Sequence, residues 1–252
     1  MQATWPYERA VDVLAAWQHL APAAPREVNL ELSLWASDFP DEEAAVALFG
    51  VVAGDPADTL ASYTERVGPP SSMSSTPLSI TDSARHCDYP GDAAEHVLPR
   101  LPAGESRPAL RLARSEFCTE PMPMPVLAEL TEHLAKDRLY GVYRDLELIP
   151  WGGELSVPAG GAFAHRDARF LVKHTVQTGC RATDETRAAA TAWVNRSWAV
   201  THEVGSGGTY PNYPDLALPD WATAYYGANL PRLRAVKKAF DPGAVFGFTQ
   251  GL

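Results

Sequence analysis

Val28-Asn29-Leu30-Glu31-Leu32-Ser33-Leu34 sets an apolar side chain at every second position with a polar one between. Successive side chains of an extended chain point to opposite faces, so this stretch reads as a half-buried strand, one face core and the other wet. Upstream, Val11, Leu14, Ala15 and Leu20 recur at helical spacing behind Thr4, a candidate N-cap, and Pro6. That spacing predicts a first helix over about 5–20, broken by Pro22 and Pro25. Downstream, the Asp38-Phe39-Pro40-Asp41 turn leads into an apolar run at 44–53, a second strand. Asp55 then caps a helix reaching about residue 67.

The rest of the chain extends the pattern. Residues 68–104 shift to Pro, Ser, Gly and Asp, which reads as a long surface excursion with one helical turn near 79–86. A strand follows around 110–117, then a helix with Leu127, Leu130 and Leu134 on one face, then a strand over 140–150. Gly152-Gly153 supplies a turn, and a strand pair is expected at 154–157 and 162–178. Helices are expected at about 184–204 and 230–240, the last stopped by Asp241-Pro242-Gly243. Short turns can only reverse the chain, whereas parallel pairing needs crossovers. The expected fold is therefore α+β, a largely antiparallel sheet covered by helices on one face, with a helical C-terminal segment.

Composition narrows the function classes. With 21 Lys and Arg against 31 Asp and Glu, the 252-residue chain carries a net charge of −10, which repels phosphate backbones and anionic lipid headgroups. Neither nucleic acid nor a membrane surface is an expected partner. The apolar runs stop short of the roughly 20 residues a bilayer requires, and the N-terminus lacks signal-peptide order, so a cytoplasmic location is expected. Three scattered cysteines and seven dispersed histidines suggest no disulfide framework and no metal site. Nucleophile-elbow, P-loop, His-Glu-x-x-His and Gly-x-Gly-x-x-Gly signatures are all missing from the sequence.

The densest chemical feature is Thr209-Tyr210-Pro211-Asn212-Tyr213-Pro214-Asp215, followed by Trp221 and Tyr225-Tyr226-Gly227-Ala228-Asn229. A phenol can serve as a base or donor, and planar rings beside Asn can hold a ring-shaped ligand. On chemistry alone, an aromatic packing seam explains the same residues equally well.

Order and spacing add a resemblance. The run Tyr210 to Asp215, then Trp221, Tyr225-Tyr226-Gly227-x-Asn229, Arg232-Leu233, Val236-Lys237, Phe240-Asp241-Pro242, Phe246 and Gln250 is similar to the end of berberine-bridge-enzyme-like FAD-linked oxidases. Arg114-Ser115-x-Phe117, Gly152-Gly153 and Phe163-Ala164-His165-Arg166 resemble landmarks of that family's substrate domain. The family's flavin-attaching Arg-x-Gly-Gly-His and Gly-x-Cys segments do not occur. The resemblance thus implies a substrate-binding domain at 1–208, and a segment at 209–252 that would pack on a flavin domain.

The same resemblance implies roles. Tyr210 and Glu147 are the candidate catalytic residues, the phenol to take a substrate hydroxyl proton and the carboxylate to stand over the substrate. A Glu on an exposed strand face is the plain alternative for Glu147. Asn212, Tyr213 and Asn229 are the candidate cofactor-binding residues, although Asn beside Pro or Gly also serves simple turns. FAD is implied only if a separate FAD-binding chain or module supplies it, with a small-molecule substrate oxidised at an alcohol or activated C–H. The alternative is a free-standing cofactor-independent cyclase or small-molecule binder on the same scaffold.

Overall fold

The computed structural model describes residues 1–79, 81–82, 110–157 and 161–252. The alternation at 28–34 folds as expected into β2 (Val28–Ala36), next to β3 (Ala45–Val52). With β1 (Gln2–Trp5), β4 (Ser72–Ser74), β5 (Leu110–Cys118), β6 (Val142–Pro150) and β7 (Phe170–Thr178) they form one sheet in the order β4-β1-β3-β2-β6-β7-β5. Every neighbouring pair is antiparallel. The α+β expectation holds.

One face is the core. Leu30, Leu32 and Leu34 of β2, Leu146 and Leu148 of β6, and Phe170, Val172 and Val176 of β7 meet three helices there. These are α1 (Ala10–Leu20), α3 (Met124–Ala135) and α4 (Asp184–His202); α2 (Pro56–Val67) packs beside α1. Trp17 is the keystone of α1: fully buried, it meets the edge of Phe170 at 5.6 Å and donates its Nε1 to Leu30 O at 3.0 Å. Truncating such a side chain costs about 3–5 kcal/mol. Caps set the helix starts, with the Asp55 carboxylate accepting from Ala57 N at 2.9 Å and Thr183 Oγ1 from Thr186 N at 3.1 Å. The tail adds α5 (Trp221–Tyr226) and α6 (Leu230–Phe240).

Three expectations need correction. The first helix starts at Ala10, because residues 2–5 are already strand β1 and Tyr7–Arg9 is a 3-10 turn. Thr4 caps nothing; it pairs with Ala47 and Ser72 across the sheet, while Pro6 keeps the backbone extended. Residues Gly153–Ser156 form a 3-10 turn instead of a strand, since Gly153 takes φ +61° and Ser156 Oγ bonds its carbonyl. Of 162–178, only Phe170–Thr178 is strand, so His165 and His174 do not share one. The helical turn expected at 79–86 lies mostly outside the described residues. Among the described residues, no helix is long and apolar enough to cross a membrane.

Candidate functional site

Opposite the helices, the odd-numbered residues of β6 and β7 project from the other sheet face. Tyr143, Asp145 and Glu147 alternate on β6 with Thr175, Lys173 and Gln177 on β7, and all six are buried. Register sets Glu147 between Ser33 of β2 and Lys173 of β7, and Lys173 beside Ser115 of β5. Glu147 is thus a buried group in the middle of the sheet, only 6% exposed, and not the solvated strand residue that was the plain alternative. Lys173 Nζ pairs with Glu147 Oε2, Ser33 Oγ donates to Asp145 Oδ1 at 2.9 Å, and Glu31 of β2 hydrogen-bonds Glu147.

Burial dominates the charges on this floor. It pushes the Asp145 carboxyl up to about 7, with the Glu147 charge adding and Lys173 and Ser33 opposing. Half-buried Glu31 is also pushed up to about 7, first by desolvation and then by Glu147. Burial alone would discharge the Lys173 ammonium, but Glu147, helped by Asp145, more than offsets it and its pKa is raised. Around neutral pH Asp145 and Glu31 therefore hold protons part of the time, next to the Glu147–Lys173 pair. Thr175 Oγ1, also buried here, has no hydrogen-bond partner among the described residues.

An aromatic wall stands against this floor. Phe117, Trp151, Phe163, Tyr210 and Tyr213 pack together, with Tyr210 at 5.0 Å from Trp151 and 5.3 Å from Tyr213 between ring centroids. Tyr213 lies 5.0 Å from Lys173 Nζ, and burial raises its phenol pKa, with Lys173 opposing. Asn212 Nδ2 donates to Tyr210 Oη at 2.8 Å. Because the amide is the donor, the phenol keeps its own O–H to offer elsewhere. The fold therefore brings Glu147, Tyr210, Asn212 and Tyr213 into one neighbourhood. Asn229 makes no contact with them: its Nδ2 donates to Ala162 O at 2.9 Å, in an open groove of about 150 Å³ lined also by Gly161, Arg232, Leu233 and Val236.

The tail presents an apolar surface. Phe240, Val245, Phe246 and Phe248 are each 72–85% exposed. They are held stiffly, since the Asp241 carboxylate accepts from Val245 N, Phe246 N and Lys237 Nζ. Gln250 closes the stretch, buried against Tyr225 Oη and Asp215 O.

Comparison with known proteins fits this architecture. A family model described as berberine and berberine-like matches residues 209–252. An uncharacterized FAD-linked oxidoreductase, YvdP of Bacillus subtilis, is 25% identical over 98% of this chain and 52% of its own length. Aclacinomycin-N/aclacinomycin-A oxidase of Streptomyces galilaeus is 30% identical over 53% of this chain and 27% of its own. The fold matches BBE-like 1 of Physcomitrella patens with a TM-score of 0.74 at 20% identity, over 98% of this chain and 52% of that one. Berberine bridge enzyme from Eschscholzia californica gives 0.71 at 16% identity, over 100% and 53%. The tail thus carries a berberine-like domain, and FAD-linked oxidoreductase relatives and berberine-bridge-enzyme structures match nearly the whole chain. The chain spans about half the length of the curated relatives it matches over nearly all of its own residues.

Berberine-bridge-enzyme-like relatives are FAD-linked, and the described residues fit one end of such a group only. Trp151 Nε1, buried and unpartnered among the described residues, and the rings of Tyr210 and Tyr213 suit a planar ring system. No pyrophosphate cradle accompanies them among the described residues. In the Gly-rich loop at 205–208, Ser206 N goes to Phe117 O and Gly208 N to Ser206 Oγ, while Gly207 N goes to the Glu116 carboxylate, which would repel phosphate. Sequence reasoning missed Glu31, Asp145 and Lys173. Their signal was available, because polar residues recur at every second position in 143–147 and again in 173–177.

Proposed function

We propose that this chain is the substrate-binding part of an FAD-dependent oxidoreductase of this family, oxidising an alcohol or activated C–H bond of a small metabolite. Residues 1–208 form the substrate domain in this reading, and 209–252 the segment that docks on a flavin module supplied from elsewhere. The observation that carries it is the gathering of Glu147, Lys173, Tyr210 and Tyr213 on a buried sheet face beside an aromatic wall.

The floor and the wall divide the work. Tyr213 and Trp151, packed in the aromatic wall, would align a flat ligand laid against it and keep water from that side. Lys173 pairs with Glu147 Oε2 and Glu31 hydrogen-bonds the same carboxylate, and together they would fix it to face a substrate hydroxyl. As the alcohol is oxidised, its proton passes to the Glu147 carboxylate held by Lys173, or to Tyr210 held by Asn212 once the phenol has passed its own proton to that carboxylate. A bound flavin would supply the acceptor for the accompanying hydride. Asn212 and Tyr213 would meet its ring from this side, and Asn229 would act from the neighbouring groove.

Reconstitution tests the reading. Mixed with a family flavin module, the chain should give a flavin absorption band and oxidase turnover. Tyr210→Phe should slow substrate oxidation by about 10²-fold or more while the band persists. Unchanged turnover removes Tyr210 from the catalytic role, and failure of every candidate module to bind this chain overturns the reading.

A further inference from the structure

Strand β5 lies at the end of the sheet, and its free edge is not left open. Ser206 N donates to Phe117 O and Phe117 N to Gly208 O, both at 2.8 Å, so the loop after α4 pairs with the edge like a short extra strand. The next contacts come from consecutive β5 residues. Ser115 takes Tyr210 N on its Oγ at 3.3 Å and Thr209 Oγ1 on its carbonyl at 3.2 Å. Glu116, fully buried, takes Gly207 N at 2.6 Å on one oxygen and faces His202 Nδ1 at 2.8 Å with the other. Arg114 donates its Nε to Asp215 at 2.7 Å and Nη1 to Asn195 at 3.2 Å, and lies flat on Trp198 at 3.7 Å. Asp215 in turn receives Ala217 N, and its own amide donates to Tyr225 Oη at 2.8 Å.

We propose that Arg114 and Glu116 are positioning residues for Tyr210, gripping the 206–215 segment on either side of the phenol and so fixing where it stands beside Glu147 and Lys173. The grip admits only glycine at two points: a Cβ on Gly205 would lie 2.4 Å from Glu116 Cγ, and one on Gly208 2.5 Å from His165 Nδ1. Both Arg114 and Glu116 belong to the even-numbered set of β5, so they act from the side away from Ser115 and Phe117, without touching the aromatic wall. This inference rests on the proposed role of Tyr210 for its meaning but not for its test.

The test uses the full chain labelled with 3-fluorotyrosine, the Tyr210 signal assigned by its loss in Tyr210→Phe. In the wild type the fluorine resonance should be displaced from that of free fluorotyrosine by the rings of Trp151, Phe163 and Tyr213. Glu116→Ala and Arg114→Ala should collapse that displacement and speed amide exchange at 206–210 by at least tenfold. Glu116→Gln, which keeps an acceptor for Gly207 N, should restore both readouts, and a general loss of stability would give no such rescue. Gly208→Ala alters no charge and should move the same resonance, which keeps the idea testable if an alanine variant fails to fold. An unmoved Tyr210 resonance in folded Gly208→Ala and Glu116→Ala overturns the proposal. If the resonance moves while turnover with the flavin module does not, positioning stands and the catalytic reading of Tyr210 falls.

Discussion

Asp145 carries the residue-scale consequence that is easiest to measure. Its carboxyl, held up to about 7, keeps a proton in the folded protein where the unfolded chain, titrating near about 4, has released it. The stability that comes with that proton is whole below the unfolded value and is lost as pH climbs through 7. Asp145→Asn should therefore gain on the wild type between pH 4.5 and 7.5, read as a widening Tm difference in the variant's favour. His174 works oppositely in part of that range: buried, with Nδ1 on Ser197, it titrates at about 3, and its contribution is lost as pH falls. Comparing variant with wild type removes the histidine from the result. A Tm difference flat in pH would show that Asp145 is ionised throughout. The strand alternation in 143–147 showed that these side chains share a face, but a period of two cannot say which face a later segment will cover. Glu147 was singled out by the family resemblance, and its burial and its partners on β2 and β7 were not legible.

At the scale of elements, start signals with a local mechanism were read correctly. Asp55 caps α2 through its own side chain, with Pro56 in the first helical position. Asp55→Ala should cost about 1 kcal/mol, a drop of roughly 2–4 °C in Tm for a chain of this size, and Asp55→Ser should recover most of it. Helix α6 and strands β2, β5 and β6 were legible because their periodicity runs for nine or more residues. Strand β1 was not, since four residues carry too little pattern and Thr4-x-Pro6 imitates a helix start. Gly153 hid the turn at 153–156, where a backbone with positive φ replaces the expected strand. The grip of β5 on 206–215 was invisible for a different reason: its side-chain contacts join residues 91 to 101 positions apart in sequence.

At the scale of the molecule, four strongly exposed apolar side chains of the described residues cluster at 240–248, while others such as Tyr140 and Leu216 stand elsewhere. Within the tail Ala224 and Tyr225 are buried, whereas Phe240, Val245, Phe246 and Phe248 lie open. Monomeric proteins rarely leave such an area open. Replacing Phe240, Phe246 and Phe248 by Ser should abolish capture of a flavin module in sedimentation experiments. Folding stability should change by no more than about 0.5 kcal/mol per site, because these rings are already in water. Retained capture would place the docking surface elsewhere.

The anchoring of Gln250 has a thermodynamic consequence of its own. With residue 250 tied to Tyr225 and Asp215, and Asp241 gathering the amides of Val245 and Phe246, the tip between them loses its conformational freedom when the chain folds. Association with any complementary body then meets a rigid plug, with little further ordering to oppose it. Clipping the two hydrogen bonds of Gln250 would turn that plug into a floppy tether, and the resulting loss of affinity would be entropic in calorimetry.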